Sequence, residues 1–205
     1  MTANLKRNLP GQTPLEDCSG LKLPSVKTRA HLNRAEYENC AEATYKYLSR
    51  RPTRRMAPFT RPWMLRLHRE MFGKVWKWAG KIRKSELNVG VPSYQVGTDL
   101  EELSRDVACW TLDNWSLIEQ AATLHWRAVH IHPFLNGNGR WARLLANIWM
   151  RRNDGPVVAW PQTDLIKEAS PVRSEYIAAL KEADANDLGP LVKIHERYVE
   201  EKAGT

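Results

Sequence analysis

The sequence predicts an all-α fold, one helical domain with a single short β element, and three observations carry that reading. Apolar residues recur at i, i+3, i+4 and i+7 through most of the chain beyond residue 28. The ends of these periodic stretches carry residues that start or stop helices, such as Ser170-Pro171. Short β-prone pieces are confined to one stretch, residues 81–97. At 205 residues, 42% hydrophobic and 26% charged, the chain is long enough for one substantial core.

The elements follow in order. Residues 1–27 hold Pro10, Gly11, Pro14, Gly20 and Pro24 without apolar periodicity and are expected to form an irregular arm, with the domain running from 28 to 200. The first helix begins near "TRAHLNRAEYENCAEATYKYL", with Leu32, Ala35, Cys40, Ala43 and Tyr47 as its buried positions, and the basic "RRPTRRM" at 50–56 ends it as an exposed loop. Thr60 then caps a helix whose Trp63, Leu67 and Met71 share a face, with Gly73 as its stop. After the β-prone stretch around Gly90 and Pro92, Thr98 and Glu101 read as a capping box for a helix carrying Leu100, Leu103 and Val107. A helix over about 117–131 stacks Ala122, Trp126 and Val129. The next places Trp141, Leu144, Leu145, Ile148 and Trp149 at amphipathic spacing. Ser170 and Pro171 open a further helix, and a last one runs over about 188–200.

Bulk properties narrow the function classes. A net charge of +8 and a pI near 9.5 favour acidic partners: nucleotides, nucleic acid or anionic surfaces. Cys18, Cys40 and Cys109 are dispersed and odd in number with no CxxC pair, so neither a disulfide framework nor a zinc knuckle is signalled. No apolar run reaches the roughly 18 residues of a membrane span, and the N-terminus lacks a signal core, so a cytoplasmic protein is expected.

The stretch with most chemistry is "HPFLNGNGRWAR", residues 132–143. Gly137 and Gly139 permit positive φ and close approach of a ligand to the backbone. A glycine turn opening a helix presents unpaired N–H groups and the positive end of the helix dipole, a cradle for phosphate. Arg140 and Arg143 lie on one face of the first turn. With the apolar residues pointing elsewhere, both guanidiniums are expected to be free to grip phosphate oxygens. His132 stands at the other lip, where a near-neutral imidazole can take a proton from an attacking hydroxyl. Together these residues argue for phosphoryl or nucleotidyl transfer. A P-loop fails because Arg140-Trp141 stands where Lys-Ser/Thr is required. A zinc cluster of His125, His130 and His132 fails on spacing, with no HExxH.

This stretch resembles the signature of Fic domains, His-x-Phe-x-Asp/Glu-Gly-Asn-Gly-Arg-x-x-Arg, at every fixed position except Asn136, where the family has an acidic residue. "LHREMFGKVWKWAGKIRKSELNVG" also resembles the family's lead into its flap, and the chain as a whole is similar to the short bacterial proteins called mobile mystery protein B. The resemblance implies an all-α Fic helical bundle with a short β-hairpin flap beside the active-site loop. It implies a protein adenylyltransferase moving AMP from ATP to a Ser, Thr or Tyr hydroxyl of a target protein. His132 is then the catalytic base and Phe134 the loop anchor. Gly137, Asn138, Gly139, Arg140 and Arg143 hold the phosphates. Ser85, Glu86, Leu87, Asn88 and Val89 belong to the flap that docks the target. Mg²⁺ is expected as cofactor beside ATP, weakened by the neutral Asn136. In "RAEYEN", Glu38-Asn39 matches the family's inhibitory motif, with Glu38 expected to pair with Arg143, although Arg34 stands where Ser or Thr belongs. A separate antitoxin-like partner also fits. Other Fic-fold phosphotransfer, removal of AMP, and a non-catalytic nucleotide- or DNA-binding module using Arg50, Arg51, Arg54 and Arg55 stay open as alternatives. No membrane partner is expected.

Overall fold

The computed structural model describes residues 20–110, 115–165 and 170–199. The expected arm over 1–27 therefore lies outside the described residues as far as residue 19. Eight helices are described: α1 (Arg29–Leu48), α2 (Arg61–Phe72), α3 (Val96–Cys109), α4 (Leu117–Ile131), α5 (Asn138–Arg152), the single turn α6 (Gln162–Leu165), α7 (Pro171–Asp184) and α8 (Gly189–Arg197). β structure among these residues is limited to two isolated antiparallel bridges, Leu21–Trp76 and Val158–Val199. None of the described helices is long and apolar enough to cross a membrane.

Local chemistry explains most helix starts. The Thr28 hydroxyl accepts the His31 N–H at the head of α1, and Pro62 sits in the first turn of α2. Ser116 and Glu119 satisfy each other's backbone N–H groups before α4. The Ser170 hydroxyl caps α7 with Pro171 behind it, as expected. The capping box expected at Thr98 and Glu101 is absent, because α3 already starts at Val96. Buried Val96 anchors that first turn, which the Gln95 carbonyl closes by accepting from Thr98 and Asp99.

Two apolar clusters meet at α4 and α5. The larger joins α1 to α5 and holds Trp63, Trp76, Trp141, Phe59, Phe72 and Phe134. The smaller lies among α4, α7, α8 and the segment 158–165, around Trp160, Tyr176 and Leu191. α5 runs between them, so every residue from Trp141 to Met150 is buried. The amphipathic helix expected there has no solvated face: its polar side, Arg143 and Asn147, is covered by the second cluster. Asn147 meets the cost by pairing like a strand residue, donating to the Val158 carbonyl at 2.9 Å and accepting the Val158 N–H at 3.0 Å.

The stretch 81–95 is an open loop rather than the expected β-hairpin. Its backbone groups find side chains in place of a facing strand. Glu86 accepts from the N–H (2.9 Å) and hydroxyl (2.6 Å) of Ser93, and the Arg83 guanidinium donates to the carbonyls of Ser85 and Val91. Pro92 also removes a donor that a ladder needs.

His68, His125 and His195 are fully buried and His132 nearly so. Burial pushes His68 and His195 down to about 3, His132 to about 4, and His125 well below its ordinary 6.5. The folded state thus refuses protons that the unfolded chain takes up below 6.5, so stability present above that pH is lost as pH falls toward the folded values. Between pH 6.5 and 5.5 each buried imidazole is expected to cost about 1 kcal/mol. A falling melting temperature across that interval, followed by circular dichroism, checks this.

Candidate active site

Six residues, His132 to Gly137, connect α4 to α5, and α2 shapes them from below. His132 caps α4 in the left-handed region (φ 50°), unusual for a residue with a Cβ. Phe134 is fully buried, stacked on the His68 ring at 3.6 Å between centroids and edge-on to Trp141 at 5.0 Å. His68 accepts the Gly80 N–H on Nδ1, which places its proton on Nε2, and that proton goes to the Asn136 carbonyl at 3.0 Å. Asn138 folds its side chain back on the loop, its oxygen accepting the Phe134 N–H (2.9 Å) and its amide donating to the Phe134 carbonyl (2.8 Å). Only the backbone of Asn138 is therefore presented to a ligand.

Gly137 starts α5 at φ 82°, with no side-chain cap on the helix. Arg143, one turn on, lies under the cradle: a Cβ on Gly139 would stand 3.4 Å from its Nη1. Its guanidinium is buried and has only neutral acceptors among the described residues, the Gln162 side-chain oxygen at 3.1 Å and the Tyr176 hydroxyl at 3.5 Å. Its Nε has no hydrogen-bond partner among the described residues. Burial pulls its pKa down, with Tyr176 opposing. Isolating a cation from carboxylates in this way is costly, and an incoming anion relieves it.

Arg140 fares differently. Its guanidinium packs over the Phe72 ring at 4.7 Å and pairs with Glu36 at 2.8 Å. Burial alone would lower its pKa, but the Glu36 carboxylate outweighs that and raises it. The expectation that both arginines are free fails here, because α1 lays a buried carboxylate across one of them. The Glu36 carboxylate also accepts from Trp76 Nε1 at 2.7 Å. The expected Glu38–Arg143 contact is absent. Glu38 lies on the exposed side of α1 and pairs with Arg34 at 2.9 Å, while Asn39 braces α1 against α2 by donating to the Glu70 carbonyl and accepting from Lys74 N–H.

Burial takes the His132 ring down to about 4; its contact with the Val129 carbonyl opposes this and Arg83 adds to it, so it is neutral at pH 7. Nδ1 lies 3.2 Å from that carbonyl, an acceptor, so the proton is on Nδ1 and the basic lone pair on Nε2. Buried Arg83 ties this residue to the flap: its Nε donates to the His132 carbonyl at 2.7 Å and its backbone N–H to Pro133. Gly90 presses on His132 so closely that an added Cβ would stand 2.4 Å from the His132 Cβ. Ser85, Glu86 and Asn88 are exposed on that flap, with Leu87 and Val89 half-buried. The Asn136 side-chain oxygen accepts the N–H of Gly137 at 2.6 Å. The basic stretch is exposed at Arg50, Arg51, Arg54 and Arg55, with Arg51 paired to Asp154.

Sequence reasoning missed Glu36, His68, Arg83, Gln162 and Tyr176. Each reaches the loop from a distant part of the chain, and only a polar residue inside an apolar pattern, as His68 is in "LHREMF", signals such a role.

Residues 58–150 match the model of the Fic/DOC family. Over 147 residues the chain is 36% identical to the protein adenylyltransferase fic-1 of Caenorhabditis briggsae, covering 67% of this chain and 26% of that protein. The corresponding protein of Caenorhabditis elegans is 34% identical over 142 residues with the same coverage. The chain thus spans about a quarter of the length of these curated relatives. Among solved structures, Fic-1 (residues 134–508) of C. elegans superposes with a TM-score of 0.67 at 28% identity, covering 88% of this chain and 52% of that one. The N-terminal Fic domain of a VirB-translocated Bep effector of Bartonella quintana, with bound ADP, shares the fold with a TM-score of 0.65 at 20% identity, covering 92% and 94%.

Gly137→Ala is expected to destabilise the chain by at least about 1–2 kcal/mol from the left-handed backbone alone. Its Cβ would also stand 2.7 Å from the rigid Phe72 ring. Chemical denaturation measures the loss. A turn restricted to glycine, the match over 58–150 and the shared fold agree: the chain belongs to the Fic/DOC family.

Proposed function

We propose that the chain is a protein adenylyltransferase, and the buried, carboxylate-free Arg143 beneath an uncapped helix start is the observation that carries the reading. A guanidinium so placed supports binding of an anion, and the glycine turn above it supports a phosphate. The names of the Caenorhabditis relatives supply the reaction class. A target hydroxyl attacks the α-phosphorus of ATP while His132 Nε2 takes its proton. The bond from that phosphorus to the bridging oxygen breaks, AMP stays on the protein, and pyrophosphate leaves. Backbone N–H groups of Asn138 and Gly139 and the Arg143 side chain hold the negative charge that moves toward the leaving group. The target segment lies along the flap, Ser85 to Val89, close to His132. The Fic domain on this reading occupies residues 28–200, and Phe134 anchors its loop.

The chain's own residues do not fit a resident Mg²⁺. Position 136 offers a neutral amide oxygen already engaged by Gly137, and the described residues hold no group of three His, Cys, Asp or Glu suited to a metal. Magnesium is accordingly part of the nucleotide substrate.

Glu36 restrains the site by holding Arg140, which must exchange that carboxylate for phosphate oxygens when ATP binds. Glu36→Gln is expected to tighten ATP several-fold by calorimetry, whereas Glu38→Gly leaves affinity unchanged. Intact mass spectrometry of candidate targets with ATP and Mg²⁺ tests the reaction: the wild type adds one AMP and His132→Ala adds none. With the His132 ring near 4, its titration leaves the rate level from pH 6 to 8. Asn136→Asp is expected to raise Mg²⁺-dependent incorporation of α-labelled ATP. Unchanged label would remove position 136 from any metal role.

A further inference from the structure

A run of buried polar groups that the reaction does not use leads from beside the cradle, where a Cβ on Gly139 would stand 4.0 Å from the Tyr176 hydroxyl, to the side of Arg143 remote from it. The Tyr176 hydroxyl touches Arg143 Nη1 at 3.5 Å and His125 Nε2 at 2.9 Å. His125 Nδ1 in turn lies 2.9 Å from His195 Nε2. His195 Nδ1 has no hydrogen-bond partner among the described residues. Trp160 closes the array edge-on to both imidazoles, at 5.1 and 4.8 Å. α4, α7 and α8 thus each supply one member of a chain that ends on an arginine of α5.

The direction of the protons follows from hydrogen-bond accounting. Arg143 can only donate, so Tyr176 accepts from it. If Tyr176 then donates to His125 Nε2, His125 donates from Nδ1 to His195 Nε2, and one buried atom is left over, His195 Nδ1–H. In the reverse direction His125 donates to Tyr176, whose hydroxyl hydrogen then has no described acceptor, and His195 Nδ1 is unpaired as well. One orphan costs less than two. The tyrosine therefore turns a lone pair toward the guanidinium and its hydrogen away.

We propose that Tyr176, His125 and His195 are positioning residues that aim the Arg143 guanidinium at the terminal phosphates of the nucleotide without neutralising it. A carboxylate in the place of Tyr176 would hold Arg143 as firmly but compete with phosphate for it, as Glu36 does at Arg140. A neutral acceptor oriented by two neutral imidazoles fixes the cation and leaves its charge for the ligand. This inference rests on the reading of Arg143 as a phosphate ligand.

Calorimetry with ATP and AMP on the wild type, Arg143→Ala and Tyr176→Phe tests it. The expected result is that Arg143→Ala and Tyr176→Phe both weaken ATP, the latter roughly three- to tenfold, with AMP unchanged. If Arg143→Ala weakens ATP and Tyr176→Phe does not, the positioning role is overturned and the phosphate reading stands. If Tyr176→Phe weakens ATP and AMP alike, its role is general packing and the proposal fails. If Arg143→Ala leaves ATP unchanged, the phosphate reading falls and the positioning role with it. Should Tyr176→Phe not fold, ¹⁵N spectra of wild-type imidazoles decide: protons on Nδ1 of both His125 and His195 support the array, and a proton on Nε2 of His125 overturns it.

Discussion

His68 holds the connection between α4 and α5 from two sides, and the rest of the site depends on that grip. Its ring face carries Phe134, and its Nε2–H fixes the Asn136 carbonyl. With those points set, Gly137 has no space for a side chain and α5 must begin where it does. The interaction works because the imidazole is neutral. A charged ring at that depth would lose its Nδ1 acceptor to a proton and repel Arg140, which already disfavours protonation there. Hydrogen bonding and stacking thus reinforce one another, and the loop is placed by α2 rather than by its own short sequence.

The two arginines of α5 illustrate how one helix face can hold cations in different states. Arg140 sits against a carboxylate and an aromatic ring, an arrangement that is electrostatically complete. Among the described residues Arg143 finds a carboxamide and a phenol as acceptors, with the Trp160 and Tyr176 rings beside it, and its Nε has no hydrogen-bond partner there. A core normally tolerates such a group only at a cost in stability, and that cost is consistent with a ligand completing the arrangement. The smaller apolar cluster matters for this reason: by covering Arg143 it removes the water that would otherwise screen it.

Much of this was legible from the residues in order. α5 follows from its period and α7 from its Ser170-Pro171 opening, the Ser116–Glu119 box before α4 went unread, and the glycine turn with its two arginines is a local pattern. What was not legible depends on contacts across long separations. Nothing local distinguishes Glu36 from Glu38 on α1; only the packing of α1 against α5 turns one inward and leaves the other in water. The β-prone stretch lacks a partner strand because Arg83 and Glu86 meet its backbone groups first. His125 and His195 are 70 residues apart, and each alone is indistinguishable from an ordinary histidine on an apolar helix face.

Arg83 grips the flap through the carbonyls of Ser85 and Val91, groups that every amino acid carries. Glu86, which ties Ser93, helps to hold the tip; the neighbouring side chains of Ser85 and Asn88 are exposed and are not what Arg83 grips. Residues such as Ser85 and Asn88 can change from one descendant to another while the histidine below them stays where it is. The variable surface is thereby uncoupled from the buried backbone contacts beneath it.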